Sequence, residues 1–159
     1  MKIHLAADHA GFELKEKIKE FLAGLGHEII DHGAFEFNAD DDYPDFIRPT
    51  AEAVANDPES RGIILGGSGQ GEAMVANRLR GVRAAVYYGP AFAKASDGQV
   101  ASEEIIKLSR EHNDANVLAL GARFISGQIA LDIVKLWLDT KFSDEERHKR
   151  RIQKIEGGR

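Results

Sequence analysis

Apolar and polar residues follow two different periods along this chain. Short continuous apolar runs are typical of buried parallel strands, and longer segments with apolar residues every three or four positions are typical of helices packed on a core. Strands are predicted over Lys2–Ala7, His27–Asp31, Gly62–Leu65, Val82–Tyr87 and Val117–Leu120. Helices are predicted over Phe12–Leu25, Tyr43–Ala55, Glu72–Arg80, a long stretch that ends at Arg110, Ser126–Leu138 and Asp144–Ile155.

Strands and helices alternate in this order, which predicts an α/β protein with a single-domain, three-layer Rossmann-like fold, in which helices flank a five-stranded parallel sheet. The 159 residues contain no repeat or linker, so we expect one domain over 1–159, with 140–159 as a C-terminal helical extension. Ligands of such sheets bind beyond the carboxyl ends of the strands. Functional residues are therefore expected in the loops after Ala7, Leu65, Tyr87 and Leu120.

The composition of the chain excludes some classes of partner and of catalytic group. The net charge of −5 argues against broad nucleic-acid binding, and no apolar run approaches the roughly 20 residues of a membrane span, so neither partner is expected. A cytoplasmic location is expected because the first residues favour a strand over a signal peptide. The absence of cysteine excludes disulfides, thiolate metal sites and thiol nucleophiles, so any mechanism must use carboxylates, imidazoles, hydroxyls or backbone amides.

A glycine-rich loop, GGSGQGE, follows the third predicted strand at 66–72. A phosphate-binding P-loop would have lysine at the position of Glu72, and the dinucleotide fingerprint would have glycine there, so neither nucleotide motif fits. The glycines allow close backbone approach to a ligand, and amides at a helix start can bind an anion. A carboxylate beside such donors suits proton abstraction next to a carbonyl, as in sugar-phosphate isomerases.

Glu72 also has a purely structural interpretation. An acid in the first turn of a helix is stabilised by the helix dipole, which lowers its pKa and weakens it as a base. Burial by neighbours such as Met74 would have to oppose that effect.

Further candidates lie near other predicted element ends. Asp8 and His9 follow the first strand; Asp8 equally suits a helix N-cap, whereas His9 titrates in a range that suits a sugar hydroxyl or a phosphate. His112 is an acid/base candidate in a segment that a helix end and turn also explain. Arg147 and Arg151 share one helix face and could bind a phosphate, or they belong to a solvated basic helix.

The acidic run Asp40–Asp42 precedes Pro44. The spacing of a calcium-binding loop is absent, so no metal site is predicted there. We interpret the run as a solvated loop.

Together these segments resemble the type B ribose-5-phosphate isomerases, a family that also includes galactose-6-phosphate and allose-6-phosphate isomerases. The resemblance implies reversible isomerisation of ribose 5-phosphate and ribulose 5-phosphate through an enediolate, without metal or organic cofactor. It also implies a homodimer with shared active sites, possibly paired into a tetramer. It spans nearly the whole chain and is carried by Ala7-Asp8-His9-Ala10-Gly11-Phe12, Asp42-Tyr43-Pro44, Gly66-Gly67-Ser68-Gly69-Gln70-Gly71, Arg110-Glu111-His112-Asn113-Asp114, Leu120-Gly121-Ala122-Arg123, and Arg147-His148 with Arg151.

The resemblance assigns roles by position. Glu72 would transfer the proton, His112 would open the sugar ring with help from Asp8, and Asn113 would bind sugar oxygens. The anion hole would consist of Gly67, Ser68, Gly69, Gln70 and Gly71, with the Ser68 hydroxyl contributing. The phosphate or nearby oxygens would be held by His9, Arg123, Arg147 and Arg151.

Two departures from the family pattern affect the prediction. Many members have a cysteine as base where this chain has Gly66, but a second branch has a glutamate just after the loop, which matches Glu72. The segment Ala91–Leu108 is longer than in typical relatives and contains Ser96-Asp97-Gly98-Gln99, which could change the substrate. A hexose-6-phosphate (allose or galactose) isomerase and a non-catalytic sugar-phosphate-binding protein are the alternatives.

Overall fold

The computed structural model describes residues 1–89 and 98–157, with only the backbone for 98–102. Within these residues the chain forms five strands and six helices. The strands are β1 (Lys2–Ala7), β2 (Glu28–Asp31), β3 (Arg61–Gly66), β4 (Ala84–Tyr87) and β5 (Val117–Gly121). The helices are α1 (Phe12–Gly24), α2 (Pro44–Asn56), α3 (Gln70–Ala76), α4 (Gly98–Glu111), α5 (Gly127–Asp139) and α6 (Glu146–Gly157).

All five strands are parallel and lie in the order β2-β1-β3-β5-β4. In register, Leu5 of β1 pairs with Ile63 of β3, and Ile63 pairs with Leu118 of β5. The chain leaves β1 toward one neighbour, β2, and later returns to β3 on the other side of β1. The carboxyl ends of β1 and β3 therefore form the topological switch point, where ligands of such sheets bind.

Helices cover both faces of the sheet. On one face, Ile18 of α1 and Trp137 of α5 pack against Leu5 and Leu118, and all four side chains are fully buried. The opposite face carries α2 and α3, whose buried side chains Ile47, Ala51, Val54, Ala73 and Ala76 pack against Ala6, Ile64, Val117 and Ala119. The predicted three-layer α/β fold is confirmed.

A buried lysine fixes the chain beside the end of β1. Lys15 of α1 is fully buried, and its ammonium donates to both carboxylate oxygens of Asp31, at 2.9 and 2.8 Å, and to the carbonyl of Ala34, at 2.8 Å. The same segment pairs with β1, because the Ala7 amide donates to Gly33 and the Ala34 amide donates to Ala7. The strand end that leads into Asp8 is thus held from two sides.

Two predicted boundaries differ from the structure. Helix α3 ends at Ala76 and β4 begins at Ala84, whereas the predictions placed these boundaries at Arg80 and Val82. The side chain of Asn77 accounts for both, because its amide bonds the N–H and the carbonyl of Ala84, at 2.8 and 3.0 Å. Of the longer segment predicted over Ala91–Leu108, residues 91–97 lie outside the described residues.

None of the helices in the described part of the chain combines the length and the apolar character that a membrane crossing requires.

Candidate active site

The ends of β1 and β3 bring Asp8 and the glycine loop together. The Asp8 amide donates to the carbonyl of Leu65 across the two strands, at 3.3 Å. The Asp8 carboxylate is 7% exposed and accepts hydrogen bonds from the amides of Ala10 and Gly11, at 2.9 and 3.1 Å. A side chain at Gly11 would collide with Leu65, since its β-carbon would lie 2.6 Å from that of Leu65. Glycine thus lets α1 begin directly against β3.

Glu72 lies in the first turn of α3, and only 4% of it is exposed. Burial raises the pKa of Glu72 above its ordinary value of 4.5; a hydrogen bond from its own backbone N–H opposes this shift, and the negative charge of Asp8 adds to it. Met74 is 67% exposed, so its expected part in burying the carboxylate was wrong. The net effect favours a carboxylate that accepts protons more readily than an exposed glutamate does.

The carboxylate of Glu72 lies against Gly66, the last residue of β3. A β-carbon built on Gly66 would overlap the carboxyl group of Glu72. The acid therefore occupies the space that a side chain at position 66 would fill. The pairing of glycine at 66 with glutamate at 72, noticed in the sequence as a departure, has this steric basis.

The loop between β3 and α3 presents backbone donors beside this carboxylate. The amides of Gly67, Ser68 and Gly69 donate to no group within the part of the chain that the structure describes. Gly69 has a φ of 76°, a left-handed conformation that favours glycine and turns the chain into α3. Ser68 and Gln70 are exposed, and the Ser68 hydroxyl accepts the Gln70 N–H at 3.3 Å. These donors suit an anion or a developing oxyanion.

Two further side chains border the loop. The Arg123 guanidinium lies over Gly67, where an added β-carbon would be 3.2 Å from Cζ of Arg123. Its backbone N–H donates to the carbonyl of Gly67, which fixes the end of β5 to the loop. The ring of Tyr43 covers Gly71, whose β-carbon would lie 2.9 Å from the Tyr43 hydroxyl oxygen. Tyr43 belongs to a motif of the family resemblance, but no role was predicted for it.

His9 lies beside Asp8 and bonds an acid that was not predicted to belong to the site. Its Nδ1 is 2.6 Å from Oδ1 of Asp41. This hydrogen bond raises the pKa of His9 above 6.5; the charges of Asp8 and Asp41 act in the same direction, while burial and the positive charge of Arg123 oppose them. The Asp41 side chain is only 5% exposed. The interpretation of Asp40–Asp42 as a wholly solvated loop was therefore wrong at its central residue.

Three possible metal-ligand atoms, one each from Asp8, His9 and Asp41, lie within 4.8 Å of one another. The contact between His9 and Asp41 does not favour a shared ion, because bonds of about 2.1 Å to one metal hold two ligand atoms about 3 Å apart or more. The geometry instead fits a hydrogen bond between an imidazole N–H and a carboxylate.

His112, Asn113, Arg147 and Arg151 lie at the opposite edge of the sheet. Helix α4 runs antiparallel to the strands, so its end at Glu111 lies beside the amino ends of β4 and β5. The Asn113 carbonyl accordingly accepts a hydrogen bond from Arg83, directly before β4, at 3.0 Å. These four predicted site residues therefore do not lie in the loops after strands, where functional residues were expected. Among the described residues, no hydrogen bond, ion pair or ring contact joins them to Asp8 or Glu72.

A second histidine stacks on His112. The rings of His112 and His148 lie 4.2 Å apart and 13° from parallel. His148 is 2% exposed, and burial lowers its pKa, as do the neighbouring His112, Arg147 and Arg151. Sequence reasoning assigned His148 no role, although it is part of the motif that carried the resemblance.

The basic face of α6 lies next to this pair. Arg147 is exposed and pairs with Glu145 at 2.7 Å, and Arg151 is exposed one turn later. One edge of the sheet therefore holds a buried acid, backbone donors, Arg123 and His9. The other edge holds an imidazole pair and two arginines.

Comparison with known proteins finds relatives that match nearly the whole chain. A sequence model described as Ribose/Galactose Isomerase matches residues 3–155. Ribose-5-phosphate isomerase B of Mycolicibacterium paratuberculosis is 43% identical over 152 residues, which cover 96% of this chain and 87% of the relative.

Solved structures agree with the sequence match. Ribose-5-phosphate isomerase B from Mycoplasma genitalium, with bound ribulose 5-phosphate, superposes with a TM-score of 0.86 at 36% identity, covering 98% of this chain and 94% of that one. The corresponding protein from Clostridium thermocellum gives a TM-score of 0.85 at 42% identity, covering 99% and 96%. The chain belongs to the ribose/galactose isomerase family.

Proposed function

We propose that this protein interconverts ribose 5-phosphate and ribulose 5-phosphate, with Glu72 as the base. The observation that carries the proposal is the buried Glu72 carboxylate, whose pKa is raised, beside the amides of Gly67 to Gly69. A base is most effective when its pKa lies near the working pH, and an exposed glutamate is too acidic for that. Relatives named ribose-5-phosphate isomerase B support the substrate.

The proton transfer follows from these groups. Glu72 removes the proton from C2 of the open-chain aldose, and the electron pair moves through a new C1–C2 double bond to the carbonyl oxygen at C1. The amides of Gly67, Ser68 and Gly69, with Gly71 and the Ser68 hydroxyl, stabilise the resulting enediolate. A proton passes from the oxygen on C2 to that on C1, and Glu72 returns its proton to C1, which yields the ketose.

Ring opening and substrate binding fall to the remaining residues. His112 moves the proton from the C1 hydroxyl to the ring oxygen as the ring opens, with Asp8 assisting. Asn113 binds sugar oxygens, and Gln70 belongs to the anion hole between Gly67 and Gly71. The phosphate is held by His9, Arg123, Arg147 and Arg151. Binding the phosphate far from the reacting carbons helps to hold C1 and C2 against the base.

The separation of these groups within one chain supports a homodimer with shared sites. Glu72 lies at the carboxyl edge of the sheet and His112 at the amino edge, with the five residues of β5 between the two edges. A strand of that length spans about 16 Å at about 3.3 Å per residue. One sugar phosphate cannot contact both edges of the same chain, so we assign His112, Asn113, Arg147 and Arg151 of each site to the partner copy.

Domain organisation, cellular location and higher assembly are further parts of the proposal. Residues 1–159 act as a single isomerase domain, in which 140–159 form a C-terminal helical extension that carries Arg147 and Arg151. The enzyme acts in the cytoplasm, in pentose phosphate metabolism. Pairing of dimers into tetramers is an extension of the dimer proposal.

Assays on a panel of sugar phosphates in deuterated water test the function. We expect ribose 5-phosphate to turn over faster than allose 6-phosphate and galactose 6-phosphate, with solvent deuterium incorporated at the reacting carbons. Thermal stabilisation by these ligands without any deuterium incorporation would instead identify a non-catalytic sugar-phosphate-binding protein.

A further inference from the structure

Asp41 is the buried member of the acidic run Asp40–Asp42. Its side chain is 5% exposed, whereas Asp40 and Asp42 are exposed. Asn38 turns the chain inward here, because its side-chain oxygen accepts the Asp40 amide at 3.1 Å and its carbonyl accepts the Asp41 amide at 3.2 Å. The loop therefore directs one carboxylate of three toward the end of β1.

Among the described residues, one short hydrogen bond joins the buried carboxylate to the site. Oδ1 of Asp41 lies 2.6 Å from Nδ1 of His9, and Oδ2 of Asp41 is buried and bonds no described group. Burying a carboxylate is costly unless a charged or hydrogen-bonding partner compensates for the loss of water. His9 is the partner that compensates Asp41.

The hydrogen bond to Asp41 fixes the orientation of the His9 ring and places a proton on its Nδ1 atom. With Nδ1–H donating to Asp41, the Nε2 atom on the other side of the ring is left for a ligand. The edge contact of His9 with Phe37, at 6.3 Å between ring centroids, further restricts the ring. The charged groups that act on His9 are Asp8 and Asp41, which favour imidazolium, and Arg123, which opposes it.

We infer that Asp41 is a positioning residue for phosphate recognition: it holds His9 so that Nε2–H donates to the phosphate or an adjacent oxygen of the sugar phosphate. The inference rests on the proposed function, in which His9 binds that end of the substrate. A charge-assisted donor of this kind binds a phosphate oxygen more strongly than a neutral imidazole does. Asp41 itself does not contact the substrate.

Nuclear magnetic resonance of the free protein tests the contact between His9 and Asp41 without any substrate. In the wild type, the His9 ring signals, assigned by their loss in His9→Gln, should titrate above pH 6.5. Asparagine retains the shape of the Asp41 side chain but not its negative charge, so the midpoint of the His9 titration should fall in Asp41→Asn. The exposed neighbour supplies the matched control, Asp40→Asn, which should leave the His9 midpoint unchanged. An unaltered midpoint in Asp41→Asn would overturn the inference.

Kinetics test the consequence for binding. At a pH above the His9 midpoint of Asp41→Asn and below that of the wild type, the substitution should raise KM for ribose 5-phosphate by about tenfold and lower kcat by less, as expected when a binding interaction is lost. The increase in KM should be smaller at lower pH, where His9 is charged in both proteins. Asp41→Glu should recover part of the loss. Equal KM values for wild type and Asp41→Asn at a pH between the two His9 midpoints would contradict the inference.

Inorganic phosphate separates this inference from the proposed function. Phosphate should shift the His9 signals of the wild type, and a higher phosphate concentration should be needed in Asp41→Asn. If the wild type turned over no sugar phosphate yet gave this result, the proposed function would fail and the role of Asp41 would stand. Equal phosphate titrations in the two proteins would refute the role of Asp41 whatever the activity.

Discussion

The carboxylate of Glu72 lies in the space that a side chain at Gly66 would occupy. Two residues six positions apart are thereby coupled: glycine at the end of β3 leaves room, and the first turn of α3 delivers an acid into it. The acid is buried by this contact and by the surrounding protein, while its own helix stabilises the ionised form. Burial outweighs that stabilisation, and the pKa of Glu72 is raised.

Replacing Gly66 by serine should displace the base. The new β-carbon would overlap the Glu72 carboxyl group, so the acid must move away from its position. We expect kcat for ribose 5-phosphate to fall about 100-fold, the effect that a misplacement of about 1 Å can have. Steady-state kinetics measure kcat of Gly66→Ser, and circular dichroism verifies that the variant is folded.

The control for this substitution is a glycine with open space around it. Apart from its chain neighbours and the backbone of its own helix, no atom lies within 4 Å of a β-carbon built on Gly24, so Gly24→Ala should retain the wild-type kcat. Full activity of Gly66→Ser would show that the position of Glu72 found here does not matter for turnover.

The raised pKa of Glu72 predicts a pH-dependent cost to stability. A carboxyl whose pKa is raised on folding contributes stability that is complete below its ordinary value, 4.5, and is lost as the pH rises through the raised value. Glu72→Gln should therefore be more stable than the wild type at pH 8, by a few degrees in Tm, and the gain should shrink toward pH 4. Thermal melts across this pH range test the sign of the difference in Tm between Glu72→Gln and the wild type.

The exposed Glu52 of α2 supplies the comparison for the melts. Glu52→Gln should change Tm little at either pH, because a solvated carboxylate has no burial cost to relieve. A Tm of Glu72→Gln below that of the wild type at pH 8 would contradict the account of this buried acid.

Shared active sites predict that two inactive variants restore each other. Glu72→Gln and His112→Asn alter opposite edges of the sheet, so a mixed dimer would have one doubly altered site and one intact site. Refolded together in equal amounts, the variants should recover about a quarter of wild-type activity, because half of the dimers are mixed and each has one intact site of two. Sites built from a single chain would give no recovery above the separate variants.

Much of the fold could be predicted because its signals are local. Continuous apolar runs mark β3 and β5, which are covered on both faces, and helical periods mark α1 and α2. The boundary near Asn77 could not be predicted this way, because it depends on a side chain that bonds the start of β4.

The site could be predicted less completely. The loop GGSGQGE and the end of β1 indicated Asp8 and Glu72, but the position of the Glu72 carboxylate against Gly66 could not be predicted, and Met74, which was expected to bury it, is exposed. The inward position of Asp41 depends on how a loop folds over β1, which has no periodic signal. The location of His112 at the opposite edge did have a signal, since a helix that leads into a parallel strand must end at the amino edge of the sheet.

We propose that Glu72 is the group that moves the proton between C1 and C2. The most direct measurement is the turnover of ribose 5-phosphate by Glu72→Gln, with calorimetric binding of the same sugar phosphate as the parallel readout. We expect that binding is retained while kcat falls about 1,000-fold, within the range that loss of a general base produces, and that deuterium incorporation from solvent falls with it. Turnover within about threefold of the wild type, where a lost general base should cost at least about 100-fold, would show that another group is the base.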